Sequence, residues 1–324
     1  MHSFQTLLRL FEERFNMRQF PSHTPTLYDP AQYILGLGGK RIRPVCVLMG
    51  NELFTDIKED AYNVATAIEL FHNFSLIHDD IMDNAPLRRG METVHTRFGE
   101  STAILAGDVM FAQAYENLAR VRTEYVQKII LLFTKTAKEV CEGQQLDMDF
   151  EKRETVNFVE YLAMITLKTS VLLATSLQLG ALLGGAGEFN QNHLYEFGKN
   201  MGIAFQIQDD YLDAFGDPDK FGKQVGGDIL ANKKTFLLIH ALETASGAGL
   251  KELKELISSD HYDREQKIEK VLLIYKDSGI DEWARSLKEQ YLRTALDHLE
   301  EAAVLSARKE PLKELAGFLI ARES

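Results

Sequence analysis

Apolar residues recur along most of this chain at intervals of three and four. Phe4, Leu7, Leu8, Phe11 and Phe15 open the series, a spacing that lines one face of a helix. Pro21, Pro25 and Pro30 then mark a loop. Asp29 and Pro30 suit the N-cap and first position of a helix that runs into Leu35 and ends at Gly36 to Gly39. The same periodicity predicts helices over Val45 to Leu53 and over 60–83, 101–119, 123–149, 155–183, 190–214, 233–246, 248–258, 263–278 and 280–322. Strand-like alternation is hard to find between Pro86 and Pro218. The expected fold is all-α, a single-domain helical bundle over 1–324, with sites built from side chains on facing helices.

Two stretches interrupt the apolar rhythm with charge. Ser75 to Gly90 holds Asp79, Asp80 and Asp83, followed at once by Arg88 and Arg89; Gln206 to Asp213 holds Asp209, Asp210 and Asp213. Both read DDxxD. Residues four apart on a helix share a face, with β-carbons about 5–6 Å apart. Asp79 therefore points with Asp83, and Asp209 with Asp213. Carboxylates that close raise each other's pKa unless a cation intervenes. Magnesium suits them, because it binds one or two carboxylates together with substrate phosphates. Two such pairs facing one another would cradle a metal-bound diphosphate. Acidic pairs on helices are more often solvated faces, but both of these lie among Ile, Leu, Phe and Tyr.

At 324 residues and 45% hydrophobic content the chain can bury a large core. Its net charge of −12 argues against nucleic acid as a partner. It does not argue against an anionic substrate, since bound metal inverts local charge. Cys46 and Cys141 fit reduced core thiols of a cytoplasmic protein. Neither a signal peptide nor a transmembrane segment is expected.

Basic residues flank the acidic motifs. Lys40, Arg41 and Arg43 sit in a glycine-led loop at a helix start, where free backbone amides favour an anion. Lys168 and Thr169 lie inside the apolar run Met164 to Leu177, where a lysine either snorkels to water or has a buried partner. Lys223, Lys233 and Lys234 follow the second motif. Plain structural roles compete for several of these. Arg41 suits an ion pair, His72 a core histidine, Thr169 a bond to a preceding carbonyl, Lys223 a loop lysine and Asp108 a buried hydrogen-bonding group. His78 and His95 are read as structural.

The segments GGKRIRP, HDDIMD with the trailing LRRG, LKTS, FQIQDDYLDAFGD and GK…GGD…NKKT, in that order, resemble the trans-prenyl diphosphate synthases, the farnesyl and geranylgeranyl diphosphate synthase family. The likeness implies the isoprenoid synthase type I fold with a central cavity. It also implies a Mg2+-dependent prenyltransferase that ionises an allylic diphosphate (dimethylallyl, geranyl or farnesyl) and joins it to isopentenyl diphosphate. Metal ligands by resemblance are Asp79, Asp83, Asp209 and Asp213, with Asp80 supporting the first pair and Asp210 beside the second. Lys40, Arg43, His72 and Arg89 match isopentenyl diphosphate binders. Arg88, Lys168, Thr169, Gln206, Lys223 and Lys233 match positions that hold the allylic diphosphate. Lys168, Thr169 and Gln206 would also steady the allylic cation. Phe71, Phe74 and Ser75, upstream of Asp79, would floor the pocket and set product length, leaning to twenty carbons with fifteen close behind. Phe71 could instead be plain core packing. The family usually forms homodimers. The C-terminus lacks the basic tail of some relatives, leaving Arg322 as a candidate to close the isopentenyl site.

Two other functions compete. A class I terpene cyclase shares an aspartate-rich motif, but normally lacks a second DDxxD and the isopentenyl segment. A non-catalytic subunit that modulates a prenyl synthase usually loses aspartates, and all six are present here.

Overall fold

The computed structural model describes residues 1–17, 19–216, 226–258 and 262–320, and these are overwhelmingly helical. In order come α1 (Phe4–Phe15), α2 (Pro25–Gly36), α3 (Ile42–Glu52), α4 (Glu59–Met82), a hairpin of β1 (Leu87–Arg88) and β2 (Met91–Glu92), α5 (Val94–Phe98), α6 (Glu100–Ala119) and α7 (Thr123–Lys152). Then follow α8 (Phe158–Ile165), a π-helical turn (Thr166–Ser170), α9 (Val171–Gly184) and α10 (Glu188–Phe215). The remainder is α11 (Gly227–Leu230), α12 (Phe236–Thr244), α13 (Gly247–Ser258), α14 (Arg264–Asp277), α15 (Ile280–Glu301) and α16 (Ser306–Ile320). The all-α expectation holds.

Several boundaries differ for local reasons. Helix α2 begins at Pro25, so Pro30 lies inside it. Either proline suits a first turn, and the added turn is held by Tyr28, which stacks on Phe20 at 5.9 Å. The helix expected over 280–322 breaks after Glu301. There Lys309 Nζ donates to the Glu300 carbonyl at 2.5 Å, and Asn190 Oδ1 accepts from Ala303 N at 2.8 Å. The hairpin was not foreseen. Arg89 and Gly90 both have positive φ, 54° and 76°, which is the two-residue turn that matches strand twist.

The chain forms two compact units. One contains Met1–Ala137, Leu172–Tyr195 and Glu300–Leu312; the other contains Lys138–Val171, Glu196–Leu299 and Lys313–Ser324. In the first, α4 packs on α3 and α6, with Leu48, Ala65, Ile68 and Phe71 fully buried. The second has its own core, including Tyr161, Ile207, Phe236, Leu253 and Tyr275.

Two readings of single residues are corrected. Cys141 is exposed rather than in the core, because it falls on the outer face of α7. Asp108 is 60% exposed and not a buried hydrogen-bonding group; its neighbours Ala106, Gly107 and Met110 take the inward positions on α6. Phe158–Gly184 is long and apolar enough to cross a membrane by length and composition, and 61% of that window is buried inside the protein, as in a core helix.

Candidate active site

The first aspartate motif closes α4. Asp79 is half-buried, Asp80 is 2% exposed, and Asp83 is the exposed C-cap residue. The hairpin then turns Arg88 back onto the motif. Its Nε donates to both Asp80 oxygens at 2.9 and 2.8 Å, and its Nη2 lies 2.7 Å from Asp80 Oδ1 and 3.6 Å from Asp79 Oδ2. Burial pushes the Asp80 carboxyl up, and the Arg88 hydrogen bonds draw it part of the way back. Asp80 therefore orients an arginine.

The glycine-led loop is arranged by the same hairpin. Arg89 Nη1 donates to the Gly38 carbonyl. Gly39 has a φ of 142°, a conformation strained for any side chain, which is the reason for glycine there; a Cβ would also press on the movable Arg89 guanidinium at 2.9 Å. Arg41 is buried, pairs with Glu69 and donates to the Leu35 carbonyl at 2.7 Å, which makes it the structural ion pair expected. Asn73 adds a 2.8 Å bond to Glu69. Arg43 Nη1 donates to His72 Nε2 at 3.2 Å. Because guanidinium only donates, His72 accepts there and is neutral. Burial, with Arg43 next, holds its pKa well below the usual histidine value. The structure thus joins Arg43, His72, Arg89 and the Gly38 loop in one neighbourhood; Lys40 is exposed beside it.

Upstream of Asp79, Phe71, Phe74 and Ser75 divide between faces of α4. Successive helical residues rotate by about 100°, so Ser75 lies about 40° and Phe74 about 140° round the helix from Asp79. Phe74 stacks on Phe111 at 4.9 Å, and Phe71 meets Phe74, Phe111 and Phe133 at 5.6, 5.7 and 5.3 Å. Tyr115 completes the cluster at 5.2 Å from Phe111 and 5.3 Å from Phe133. Ser75 Oγ donates to the His72 carbonyl at 2.8 Å. Phe111, Tyr115 and Phe133 were missed by sequence reasoning, although Phe111 and Tyr115 share the i, i+4 spacing of an apolar face.

The second unit gathers the other implied residues. Lys168 and Thr169 sit in the π-helical turn, where one extra residue re-aims side chains. That turn presses on α7: a Cβ on Gly143 would lie 2.2 Å from Lys168 N. One helical turn on, Asp147 Oδ2 accepts from Lys168 Nζ at 2.6 Å, so Lys168 is a half-buried lysine with a carboxylate partner. Thr169 Oγ1 donates to Gln206 Oε1 at 3.2 Å, and Gln206 Nε2 donates to Asp210 Oδ1 at 2.8 Å. Tyr161 OH donates to Asp210 Oδ2 at 2.6 Å. Burial, with Asp228 next, pushes the Asp210 carboxyl up to about 7. Asp147 and Tyr161 were also missed. Asp147 carried a faint signal, four residues after Gly143 on one face of α7.

Asp209 and Asp213 are half-buried on α10. Asp213 Oδ2 accepts from Asp228 N at 2.8 Å, tying the motif to the start of α11. Asp210, Asp213, Asp228 and Lys233 line one cavity with Asn232 and Lys267. Lys223 and Arg322 lie outside the described residues. Among the described residues, no three His, Cys, Asp or Glu side chains form a metal cage. Magnesium does not require one, because it takes few carboxylates and completes its shell with water and phosphate. A carboxylate also has about four lone-pair sites, so Asp213 retains capacity beyond its backbone bond. The donor sets fit that ion.

The polyprenyl synthetase family model matches residues 24–275. The chain belongs to the polyprenyl synthetase family. A short chain isoprenyl diphosphate synthase of Methanothermobacter thermautotrophicus is 39% identical over 299 residues, covering 92% of this chain and 91% of that protein. A geranylgeranyl diphosphate synthase of Methanosarcina mazei is 38% identical, covering 92% and 90%. Among solved structures, a geranylgeranyl pyrophosphate synthase superposes with a TM-score of 0.95 at 42% identity over the whole of both chains. The isoprenoid synthase fold and the prenyltransferase class read from the motifs stand with this membership.

Proposed function

We propose that this chain is a short-chain trans-prenyl diphosphate synthase that lengthens an allylic diphosphate by five carbons from isopentenyl diphosphate, giving geranylgeranyl or farnesyl diphosphate. The observation that carries the reading is the Thr169–Gln206 hydrogen bond of 3.2 Å. It joins the LKTS segment to the second aspartate motif and sets polar oxygens beside a metal-binding sequence in an apolar helix.

Asp79 and Asp83 of the first motif, and Asp209 with Asp213 of the second, would hold Mg2+. Bound there, the ion supplies positive charge to the diphosphate leaving group. Lys168, Lys233 and Lys223 add fixed positive charge to the allylic diphosphate, and the family resemblance gives Arg88 the same role. These groups act on charge that develops as the allylic carbon–oxygen bond breaks. Gln206 Oε1 and Thr169 Oγ1 turn electron pairs toward the resulting cation. Lys40, Arg43, His72 and Arg89 bind isopentenyl diphosphate, whose double bond attacks the cation; the new cation then loses a proton and its C–H pair forms a double bond, leaving a longer allylic diphosphate. A neutral His72 suits a site crowded with guanidinium groups. The apolar side chains of α4 and α6 exclude water, and Phe74, Phe71 and Ser75 set the depth available to the tail.

Exposed Ile104, Leu105 and Leu131 on α6 and α7 support a homodimer. A cytoplasmic location is proposed from the family resemblance. The test is a product assay with purified protein, Mg2+, isopentenyl diphosphate and each allylic starter, sized by mass spectrometry, with and without chelator. A discrete twenty- or fifteen-carbon diphosphate, lost on chelation, is expected. A cyclic hydrocarbon formed without consuming isopentenyl diphosphate would establish a cyclase instead. Activity that appears only on mixing with another synthase would establish a modulating subunit.

A further inference from the structure

Tyr161 is buried, 1% exposed, on α8. Its ring is confined by aromatic neighbours: Phe158 at 6.5 Å and Phe236 at 5.9 Å, both of which meet Trp283 at 5.4 and 5.5 Å. A ring held on two sides fixes where its hydroxyl points. That hydroxyl donates to Asp210 Oδ2 at 2.6 Å, while Asp210 Oδ1 accepts from Gln206 Nε2 at 2.8 Å. The far end of the same amide, Gln206 Oε1, accepts from Thr169 Oγ1 at 3.2 Å.

The chemistry of an amide makes this chain directional. While Asp210 is ionised its oxygens only accept, so the end of Gln206 facing it is then the NH2 group. The carbonyl end then faces Thr169. A carbonyl oxygen carries two lone pairs, and Thr169 uses one. If Asp210 were free to swing, the amide could turn over and present N–H groups where the oxygen now stands. Donors there would repel a cation rather than steady it.

We propose that Tyr161 is a positioning residue that acts through Asp210 to keep the Gln206 carbonyl oxygen turned toward the reacting allylic group. The proposal rests on the synthase reading above. It assigns Tyr161 no contact with substrate.

Tyr161→Phe removes the hydroxyl and leaves the packed ring. In the condensation assay it is expected to lower kcat about tenfold, the size of one hydrogen bond to a charged group. KM for isopentenyl diphosphate and the melting temperature should stay near wild type. Made in a Gln206→Ala background, the same substitution should cause no further loss, since the group it positions is gone. A wild-type kcat for Tyr161→Phe overturns the role. So does an equal fractional loss in both backgrounds, which would mark a purely structural tyrosine. If the phenylalanine variant does not fold, Asp210→Asn tests the same link with its shape kept. It is made with and without Gln206→Ala: a kcat loss that vanishes in the Gln206→Ala background supports the link, and an equal fractional loss in both backgrounds, or wild-type kcat, overturns it. A wild-type protein with no condensation activity under any starter would overturn the synthase reading itself, an outcome distinct from every variant result.

Discussion

Arg88 reaches back across the turn after α4 and grips Asp80 through Nε and Nη2, at 2.7 to 2.9 Å. The middle aspartate of the first motif is therefore spent on an arginine. Asp80→Ala would leave a half-buried guanidinium without its carboxylate. We expect a loss of about 2 kcal/mol in unfolding free energy, measured by urea titration. Stability equal to wild type would show that the pair adds nothing net.

The outer aspartates should behave differently. Asp79→Ala and Asp209→Ala each remove a carboxylate that would bind metal, and neither is a core packing group. We expect turnover to fall by roughly a hundredfold or more with the circular dichroism spectrum unchanged. Near-normal turnover in either variant would sink the metal-binding role of that motif.

Gly143 allows α7 to approach the π-helical turn that carries Lys168. A methyl there would meet backbone at 2.2 Å, which no rotamer change relieves. Gly143→Ala should destabilise the fold by about 1–3 kcal/mol, the ordinary cost of overpacking. It should also lower kcat, because Lys168 and Thr169 move together. A variant with wild-type melting and wild-type kcat would contradict this.

Product length offers a paired test. Phe74 fills space against Phe111 at 4.9 Å, so Phe74→Ala should deepen the pocket and lengthen the product. Ser75 lies nearer the Asp79 face of α4, so Ser75→Phe should shorten it. Mass spectra of the diphosphates decide both, and an unchanged product in either case removes that residue from the floor.

His72 gives the protein an acid-side liability. It is held neutral in the fold, with its pKa well below the usual 6.5. Below pH 6.5 the unfolded chain takes up a proton at this position and the folded chain does not. Stability is therefore complete above pH 6.5 and declines as pH falls, by at most about 1.4 kcal/mol per pH unit for one such group. His72→Gln keeps an acceptor for Arg43 and should flatten that decline. Identical slopes for both proteins between pH 6.5 and 5 would exclude His72 as the cause.

Much of the helical order was readable in the apolar periodicity, because a helix that buries one face must repeat near every 3.6 residues. Where a boundary was misread, a tertiary contact had overruled local signals. Tyr28 on Phe20 carried α2 back to Pro25, and Lys309 capped α15 at Glu300. The hairpin at Leu87–Glu92 is only two residues per strand, too short for alternation to register. Asp108 and Cys141 show the limit of composition arguments, since an apolar neighbourhood in sequence does not say which face a residue takes.

The sequence by itself determined the chemistry on offer: six aspartates in two DDxxD motifs, the cations that flank them, and membership of a prenyl synthase family legible from their order. Those follow from residue identity and spacing, which helical geometry converts directly into shared faces. Tertiary structure alone decided the partners. Arg88 on Asp80, His72 under Arg43, Lys168 on Asp147 and Tyr161 behind Asp210 join residues from 8 to 49 positions apart. No local propensity encodes such pairings. They arise because burial forces each polar group to find whichever donor or acceptor the packed helices bring within reach.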